Sequence, residues 1–384
     1  MQTYMAASRV TKKDQKKKGA ATAATGGGVL GIHHITAITR NAQRNIDFYS
    51  GTLGLRPVKI TVNFDDPTSY HLYYGDYMGH PGTLLTFFVW PDIHKGTRGT
   101  GQVTTVAFLI PPKSLEYWVD RLRRNGVSVV GPSTRFNDAE QFISFHDPDG
   151  MMLELVAPSS VSSYVHSKKK IQNEDVSAIN YYNVWKEGPV DAQHALRAFH
   201  SAAISEEGYE HTASLLTDTM KFQLVAKDER EGRFRFKAIN NRKLGEVPEA
   251  IGSVVDVVCQ PDITRGIVGI GSVHHIAWRA SDDSHQLDLR RRIIKQAHLD
   301  PTPVIDRKYF HSVYFREPGG VLFEIATDPP GMTIDQKPEE LGTKLTLPEW
   351  YEPLRSKLEQ EVLPPVNLPP RNMTKQHKEE SSVA

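Results

Sequence analysis

The sequence predicts an α+β protein: four βαβββ units whose strands pair into two cupped, mostly antiparallel sheets with helices outside. Three observations carry this expectation. His-His-Ile occurs twice, at His33–Ile35 and His274–Ile276, each time opening an apolar, strand-like run shortly after a glycine. The segment Phe145–Leu155 resembles Phe315–Ile325, and each puts a glutamate, Glu154 or Glu324, in an apolar strand after a Pro/Gly turn. Finally, one order of elements (strand, helix, three strands) can be read four times. Units of this size are too small to hold a core alone, so they must pair to bury their sheets.

In the first unit the His33–His34 strand leads to a short amphipathic helix, Gln43 to Tyr49. Strands follow around Val58–Val62, Tyr70–Tyr74 and Leu84–Val89. The second unit starts at Val103–Phe108. Its helix runs from Ser114 to Arg124, with Leu115, Trp118, Val119 and Leu122 at helical spacing and Gly126 as a stop, and it ends on the Glu154 strand. The third starts at Leu196–Ser201, has a helix over Tyr209 to Met220 and ends on Ser253–Val258. The fourth starts at the His274–His275 strand, has a helix from His285 to Gln296 and ends on the Glu324 strand.

The expected organisation is therefore a disordered basic tail over 1–30, a first pair of units over 31–157, a linker over 158–194, a second pair over 195–330 and a C-terminal extension over 331–384. The tail carries Lys12, Lys13 and Lys16–Lys18 followed by an Ala/Thr/Gly stretch, which cannot bury a core. The linker has a serine cluster, Lys168–Lys170 and Pro189. The extension, rich in Pro, Glu and Lys, has one helix signal, Glu349 to Val362, and then frays.

Composition excludes several classes. Of 384 residues, 39% are hydrophobic and 24% charged, as in ordinary globular proteins, and the net charge of +1 gives no field favouring nucleic acid or a membrane surface. No apolar run approaches the ~20 residues that span a bilayer. The N-terminus lacks a secretory hydrophobic core and the arginine-rich amphipathic pattern of a mitochondrial address. The single cysteine, Cys259, excludes internal disulfides and a thiolate-rich metal site, so a cytoplasmic protein is expected. Homo-oligomerisation is left open.

Histidines and glutamates on neighbouring strands of a repeated unit are the makings of a metal site. A lone strand histidine is usually a hydrogen-bonded structural residue, and a strand glutamate before a turn is usually solvated. Two His-His pairs at equivalent positions, with Glu324 between Phe323 and Ile325, are a different matter, since a carboxylate among apolar flanks is expensive unless paired or bound to a cation. Two histidines plus one carboxylate, with positions left open for other ligands, form the facial triad of non-haem Fe(II). Adjacent strand residues face opposite sides, so only one histidine of each pair should line the cup, and periodicity does not say which. The aromatics Tyr70, Tyr73, Tyr74, Phe87, Phe88 and Trp278 are candidates to line it as well, although alternating strand aromatics are more often core.

Both His-His pairs, together with Asp306-Arg307-Lys308-Tyr309-Phe310-His311-Ser312-Val313-Tyr314-Phe315-Arg316-Glu317-Pro318-Gly319-Gly320-Val321-Leu322-Phe323-Glu324, resemble the vicinal oxygen chelate superfamily of glyoxalase I, bleomycin-resistance proteins and extradiol dioxygenases. The nearest likeness is to its hydroquinone-cleaving branch, typified by 2,6-dichlorohydroquinone 1,2-dioxygenase, and it spans about residues 31–330. The resemblance implies that the second histidine of each pair is a ligand, so that His34, His275 and Glu324 hold Fe(II), with Mn(II) fitting the same set. It also implies that Arg307 and Tyr314 lie beside the substrate and oxygen. His33, His274 and Thr36 match further family positions near the site, and His33 and His274 join Arg307 and Tyr314 as candidate catalytic residues, although strand alternation should turn these two histidines away from the metal. The implied substrates are a small aromatic diol, most simply a hydroquinone, and O2.

Two ambiguities follow. If units pair in sequence order, the triad would be His200, His275 and Glu324. If the first pairs with the fourth, it is His34, His275 and Glu324, which the resemblance favours; Glu154, His200 and Asp256 would then surround a second cup without a catalytic metal. The rival functions are a glyoxalase-type isomerase, which would want Glu154 in the same site as Glu324, a 2-oxo-acid-dependent dioxygenase, and a metal-free aromatic-binding protein.

Overall fold

The computed structural model describes residues 27–158, 184–239 and 252–368. The basic cluster at 12–18, the serine and lysine runs of the linker and the last sixteen residues lie outside the described residues. Val29 and Leu30, at the end of the expected tail, are buried, and the Leu30 N–H donates to the Arg279 carbonyl at 2.9 Å.

Sixteen strands form two eight-stranded mixed sheets. The first unit supplies β1 (Ile32–Thr39), β2 (Arg56–Val62), β3 (Tyr70–Gly75) and β4 (Leu84–Val89). The second supplies β5 (Gln102–Leu109), β6 (Val129–Arg135), β7 (Glu140–His146) and β8 (Met152–Pro158). The third supplies β9 (Phe199–Glu206), β10 (Phe222–Asp228), β11 (Arg233–Ala238) and β12 (Val254–Cys259). The fourth supplies β13 (Val273–Ala280), β14 (Ile305–Asp306), β15 (Phe310–Arg316) and β16 (Leu322–Pro330). Sheet one has the order β14-β15-β16-β13-β1-β4-β3-β2, and sheet two β10-β11-β12-β9-β5-β8-β7-β6. Units one and four therefore share a sheet, as do units two and three. The expected α+β architecture of cupped, mostly antiparallel sheets is the one observed.

The chain's path explains this pairing. It leaves sheet one after β4, builds all of sheet two, and returns once. The outgoing and returning segments run side by side and are bridged at Lys95–Ile270, Thr97–Ile267 and Thr100–Arg265. Each expected segment, 31–157 and 195–330, consequently gives one unit to each sheet.

All four predicted helices are present: α1 (Ala42–Ile46), α2 (Leu115–Arg124), α3 (Glu210–Ser214) and α4 (Asp283–Gln296), with α1 and α3 widening into π turns over Asp47–Thr52 and Leu215–Thr219. Asn41 and Asp282 cap α1 and α4, each side chain accepting from a backbone N–H three residues on at 2.9 Å. Helix α2 buries Leu115, Trp118 and Leu122 and packs on β6 and β7, while α4 packs on β13, β15 and β16. In the C-terminal extension the helix signal becomes three short turns between Glu352 and Val362, and its strand-like part runs beside β2 through an Ile60–Leu345 bridge.

Both sheets are centred on an antiparallel pair, β1–β13 in one and β5–β9 in the other, and each pair contains two bulges. Along β1–β13, Ile32 faces Trp278 and His34 faces Ala277, so His33 is an extra residue on β1. Thr36 faces His275 and Ala37 faces Val273, so His274 is an extra residue on β13. In β5–β9 the extra residues are Thr104 and His200. A bulge breaks strict alternation and re-aims side chains.

Trp278 and Phe87 belong to the main apolar core rather than to the cup. Trp278 is fully buried, with its ring edge-on to Phe222 and Phe323, each at 5.2 Å. Trp278→Ala should lower unfolding free energy by about 3–5 kcal/mol, the usual cost of deleting a buried large aromatic. A urea transition within about 1 kcal/mol of wild type would remove the residue from the core.

Candidate metal centre

The three predicted ligands come together in sheet one. His34 Nε2 and His275 Nε2 lie 3.3 Å apart, and Glu324 Oε2 is 3.4 Å from the first and 3.0 Å from the second. All three side chains are buried, Glu324 completely. Among the described residues this is the one cluster of histidines and carboxylates whose ligand atoms converge within 4.8 Å and could hold a metal ion.

Hydrogen bonding fixes which nitrogens face the centre. His33 Nε2 lies 3.1 Å from the Thr327 carbonyl, and a carbonyl only accepts, so that nitrogen carries a proton. Burial, then the neighbouring His34, holds His33 well below the usual imidazole range, so the ring is neutral and its Nδ1 is an acceptor. His34 Nδ1, 3.0 Å away, therefore donates to it. In a neutral His34 this leaves the lone pair on Nε2, aimed at the centre. On β13 the Nδ1 atoms of His274 and His275 lie 2.8 Å apart, while burial, then the proximity of His275, pushes His274 down to about 3. The expectation that alternation turns His33 and His274 away is thus corrected: each occupies a bulge and bonds its neighbour's ring instead.

Glu324 Oε1 accepts from Ser312 Oγ at 2.6 Å, while the buried Oε2 makes no hydrogen bond. The 3.0 Å approach of His275 Nε2 is close but not directed as a hydrogen bond. Burial pushes this carboxyl up, and positive charge on the facing His34 and His275 rings, when they carry the proton, outweighs it and holds the group well below the usual range. An orphaned buried carboxylate oxygen facing two imidazole nitrogens fits a cation that accepts nitrogen and oxygen ligands.

The cavity over this centre is lined by Phe64, His71, Tyr73, Phe88, Phe310 and Tyr314, among others. Of the six aromatic candidates, Tyr73 and Phe88 line it; Tyr70, Tyr74, Phe87 and Trp278 do not. Arg307 Nε donates to the Tyr314 hydroxyl at 3.3 Å, and its Nη1 donates to both oxygens of Asp65. Burial pushes the Tyr314 hydroxyl up, so it stays protonated. Thr36 is hydrogen-bonded to Thr86 at 2.8 Å, and Thr86 to His71 Nε2 at 2.9 Å. His71, Thr86 and Asp65 carried no signal in sequence, because none belongs to a repeated motif.

Strand register locates the corresponding positions in all four units. Glu324 lies opposite Ala277, Thr86 opposite Thr36, Glu154 opposite Ala107 and Asp256 opposite Ala203. Two residues earlier on each inner strand stand His275, His34, Thr105 and Ser201. His200 therefore does not occupy the position of His34 and His275, as expected from sequence; it corresponds to the bulged His274, and Ser201 holds the ligand position. Sheet one thus has His, His and Glu at three corners and Thr86 at the fourth. Sheet two has Thr105, Ser201, Glu154 and Asp256.

The second cup is filled by ion pairs. Arg135 binds Glu140 at 2.9 Å and Glu154 at 2.8 Å, Arg235 binds Asp256 through two bonds and also reaches Glu140, and His200 Nε2 lies 3.0 Å from Glu140. The His200–His275–Glu324 triad is not assembled, since His200 is in the other sheet.

A two-sheet fold of repeated βαβββ units with a buried His-His-Glu cluster at its centre defines a class, and residues 31–155 match the model of the Glyoxalase/Bleomycin resistance protein/Dioxygenase superfamily. The chain is 43% identical over 87% of its length, and 96% of the relative's, to the "Putative ring-cleaving dioxygenase MhqO" of Bacillus subtilis (strain 168). It is 31% identical to the chlorohydroquinone/hydroquinone 1,2-dioxygenase of Sphingobium indicum, over 86% of this chain and 95% of that one. A crystal structure of a dioxygenase, so named provisionally, from B. subtilis superposes with a TM-score of 0.75 at 40% identity, covering 89% of this chain and 99% of that chain. Glyoxalase I from Zea mays, at 12% identity and TM-score 0.53, shares the fold. This chain belongs to the Glyoxalase/Bleomycin resistance protein/Dioxygenase superfamily.

Arg235→Ala would leave Glu140 and Asp256 short of a buried partner and should cost about 3–5 kcal/mol of stability. Chemical denaturation checks this; a loss under about 1 kcal/mol would mean the network is hydrated rather than buried.

Proposed function

We propose that the protein is an Fe(II)-dependent ring-cleaving dioxygenase that inserts O2 into an aromatic diol, most simply a hydroquinone. The observation that carries this reading is the corner set of sheet one. His34, His275 and Glu324 supply three ligand atoms on one side, and Thr86 stands where a fourth ligand, a second carboxylate, would be. Three protein ligands leave positions for a substrate oxygen and dioxygen. Relatives named as ring-cleaving and hydroquinone dioxygenases support the chemistry. The same ligand set also accepts Mn(II).

When bound, the ion would supply a coordination point for an ionised substrate oxygen and a path for electrons from ring to oxygen. The chain's own residues do the rest. His33 and His274, neutral through burial, orient the two ligand rings. Tyr314, protonated and T-shaped to His275 at 5.8 Å between ring centres, can donate a hydrogen bond or proton to oxygen held beside the centre. Arg307, bonded to that hydroxyl, keeps it aimed and offsets developing negative charge. Phe64, Phe88 and Phe310 give the cavity apolar walls that suit a flat ring.

The isomerase alternative needs a fourth protein ligand. Glu154, its candidate, belongs to sheet two, where Arg135 neutralises it.

Iron-loaded protein offered hydroquinone, methylhydroquinone and catechol should consume one O2 per ring and form a ring-opened absorbing product with the hydroquinones. Glu324→Ala should lose iron and turnover together; full oxygen uptake in that variant would sink the triad. His33→Ala removes the acceptor that fixes the His34 tautomer and should weaken metal affinity by roughly 10–100-fold. Competition with a chromogenic chelator measures it, and an unchanged affinity would show that His33 does not orient the ligand.

A further inference from the structure

The mouth of the cavity has two lips. One is the Asn63–Asp65 segment after β2; the other is the Arg307–Tyr309 turn before β15. They are joined by Arg307, whose Nη1 donates to the Asp65 carboxylate oxygens at 2.9 and 3.0 Å. The C-terminal extension straps both lips. Tyr351 Oη donates to the Phe64 carbonyl at 3.0 Å, and the Trp350 ring stands edge-on to Phe64 at 5.8 Å. On the other side Lys308 Nζ donates to the Leu347 carbonyl at 3.0 Å and pairs with Asp335 at 2.7 Å.

The burial of the Asp65–Arg307 pair is unequal. The Arg307 side chain is 19% exposed and belongs to the cavity wall, whereas that of Asp65 is 70% exposed. An ion pair so open to water contributes little to stability, yet it occupies the arginine that lines the cavity. Arg307 and Asp65 are the only arginine, lysine, aspartate or glutamate lining this cavity among the described residues. A free guanidinium in such a place would be a ready receptor for a carboxylate on the substrate ring, because arginine matches carboxylates geometrically and electrostatically. Asp65 fills that role from within the chain. A ring carboxylate would have to displace Asp65 and then lie beside it as a like charge, a repulsive element that discriminates between substrates.

We propose that Asp65 is a specificity-determining residue: by occupying Arg307 it sets the site to take diols with uncharged ring substituents and to reject those bearing a carboxylate, and the strap residues Trp350 and Tyr351 hold it there. This rests on the aromatic-diol reading above. Phe64, gripped by the strap on the residue next to Asp65, adds an apolar wall to the same lip, consistent with alkyl or halogen substituents.

The test is equilibrium binding by calorimetry under anaerobic conditions, with full-length iron-loaded protein, of methylhydroquinone and 2,5-dihydroxybenzoate. Wild type should bind the neutral ring at least about tenfold more tightly. In Asp65→Asn the carboxylate should gain on the order of tenfold while the neutral ring changes little, and Asp65→Glu should restore most of the discrimination. Trp350→Ala, at a residue outside the cavity lining, should shift the ratio the same way by a smaller factor. Because no O2 is present, the result does not depend on ring cleavage. If wild type binds the neutral diol but Asp65→Asn leaves the ratio unchanged, this proposal falls and the diol reading stands. If wild type binds neither diol, both fall. If the carboxylate binds wild type as tightly as the neutral ring, Asp65 does not select.

Discussion

Glu324 is a carboxylate sealed from water, and sheet one is arranged around that constraint. Ionised carboxylates carry a penalty of several kcal/mol on burial even after relaxation. Ser312 supplies one strong hydrogen bond to Oε1, and a bond to a charged group is worth about 1.5–3 kcal/mol. Among the described residues, Oε2 has no hydrogen bond and no arginine or lysine pairs with this carboxylate. What faces it instead is a pair of imidazole nitrogens. Such a set is poorly balanced alone and well balanced around a cation, so ion binding and stability of the inner strands should be coupled.

The histidines reach that position through an irregularity. A regular β1–β13 pair would place His33 and His34 on opposite faces. With the bulges, each extra histidine can bond the ring of its neighbour, and the two bulges are related by the pseudo-twofold symmetry of the antiparallel pair. The local disorder in the ladder thus yields two functions from adjacent residues: one ring nitrogen faces the centre, while the adjacent ring fixes its tautomer. Sheet two keeps the same bulges with Thr104 and His200, so the irregularity belongs to the fold and the metal-type corner set belongs to the side chains placed on it.

Repetition made much of this legible. The duplicated His-His-Ile and the matched Glu154 and Glu324 strands marked the four units, and 3.6-residue spacing marked Leu115, Trp118 and Leu122 as a helix face. The bulges were not legible, because a bulge is a relation between two strands and leaves no mark in one strand's composition; hence the misplaced expectation for His33, His274 and His200. Tyr73–Tyr74 and Phe87–Phe88 are adjacent pairs whose members point to opposite faces of their strands, and sequence alone does not say which face is core and which is cup. His71, Thr86 and Asp65 come from segments that neither pair of matched motifs covers, and only folding brings them to the cavity.

The two cups are best understood as two answers to one electrostatic problem. Both contain buried carboxylates at the same register position. In sheet two, Glu140, Glu154 and Asp256 meet Arg135, Arg233 and Arg235, so three negative charges face three positive ones, and the cup is filled with its own side chains. In sheet one, burial holds His33, His274 and His275 below the usual imidazole range, and the guanidinium at the rim, Arg307, is bound to Asp65. The charge of Glu324 is therefore left for something outside the chain. The cup with arginines balances its carboxylates with its own cations, whereas the cup with histidines gives up that internal balance and carries Thr86 in place of a second carboxylate.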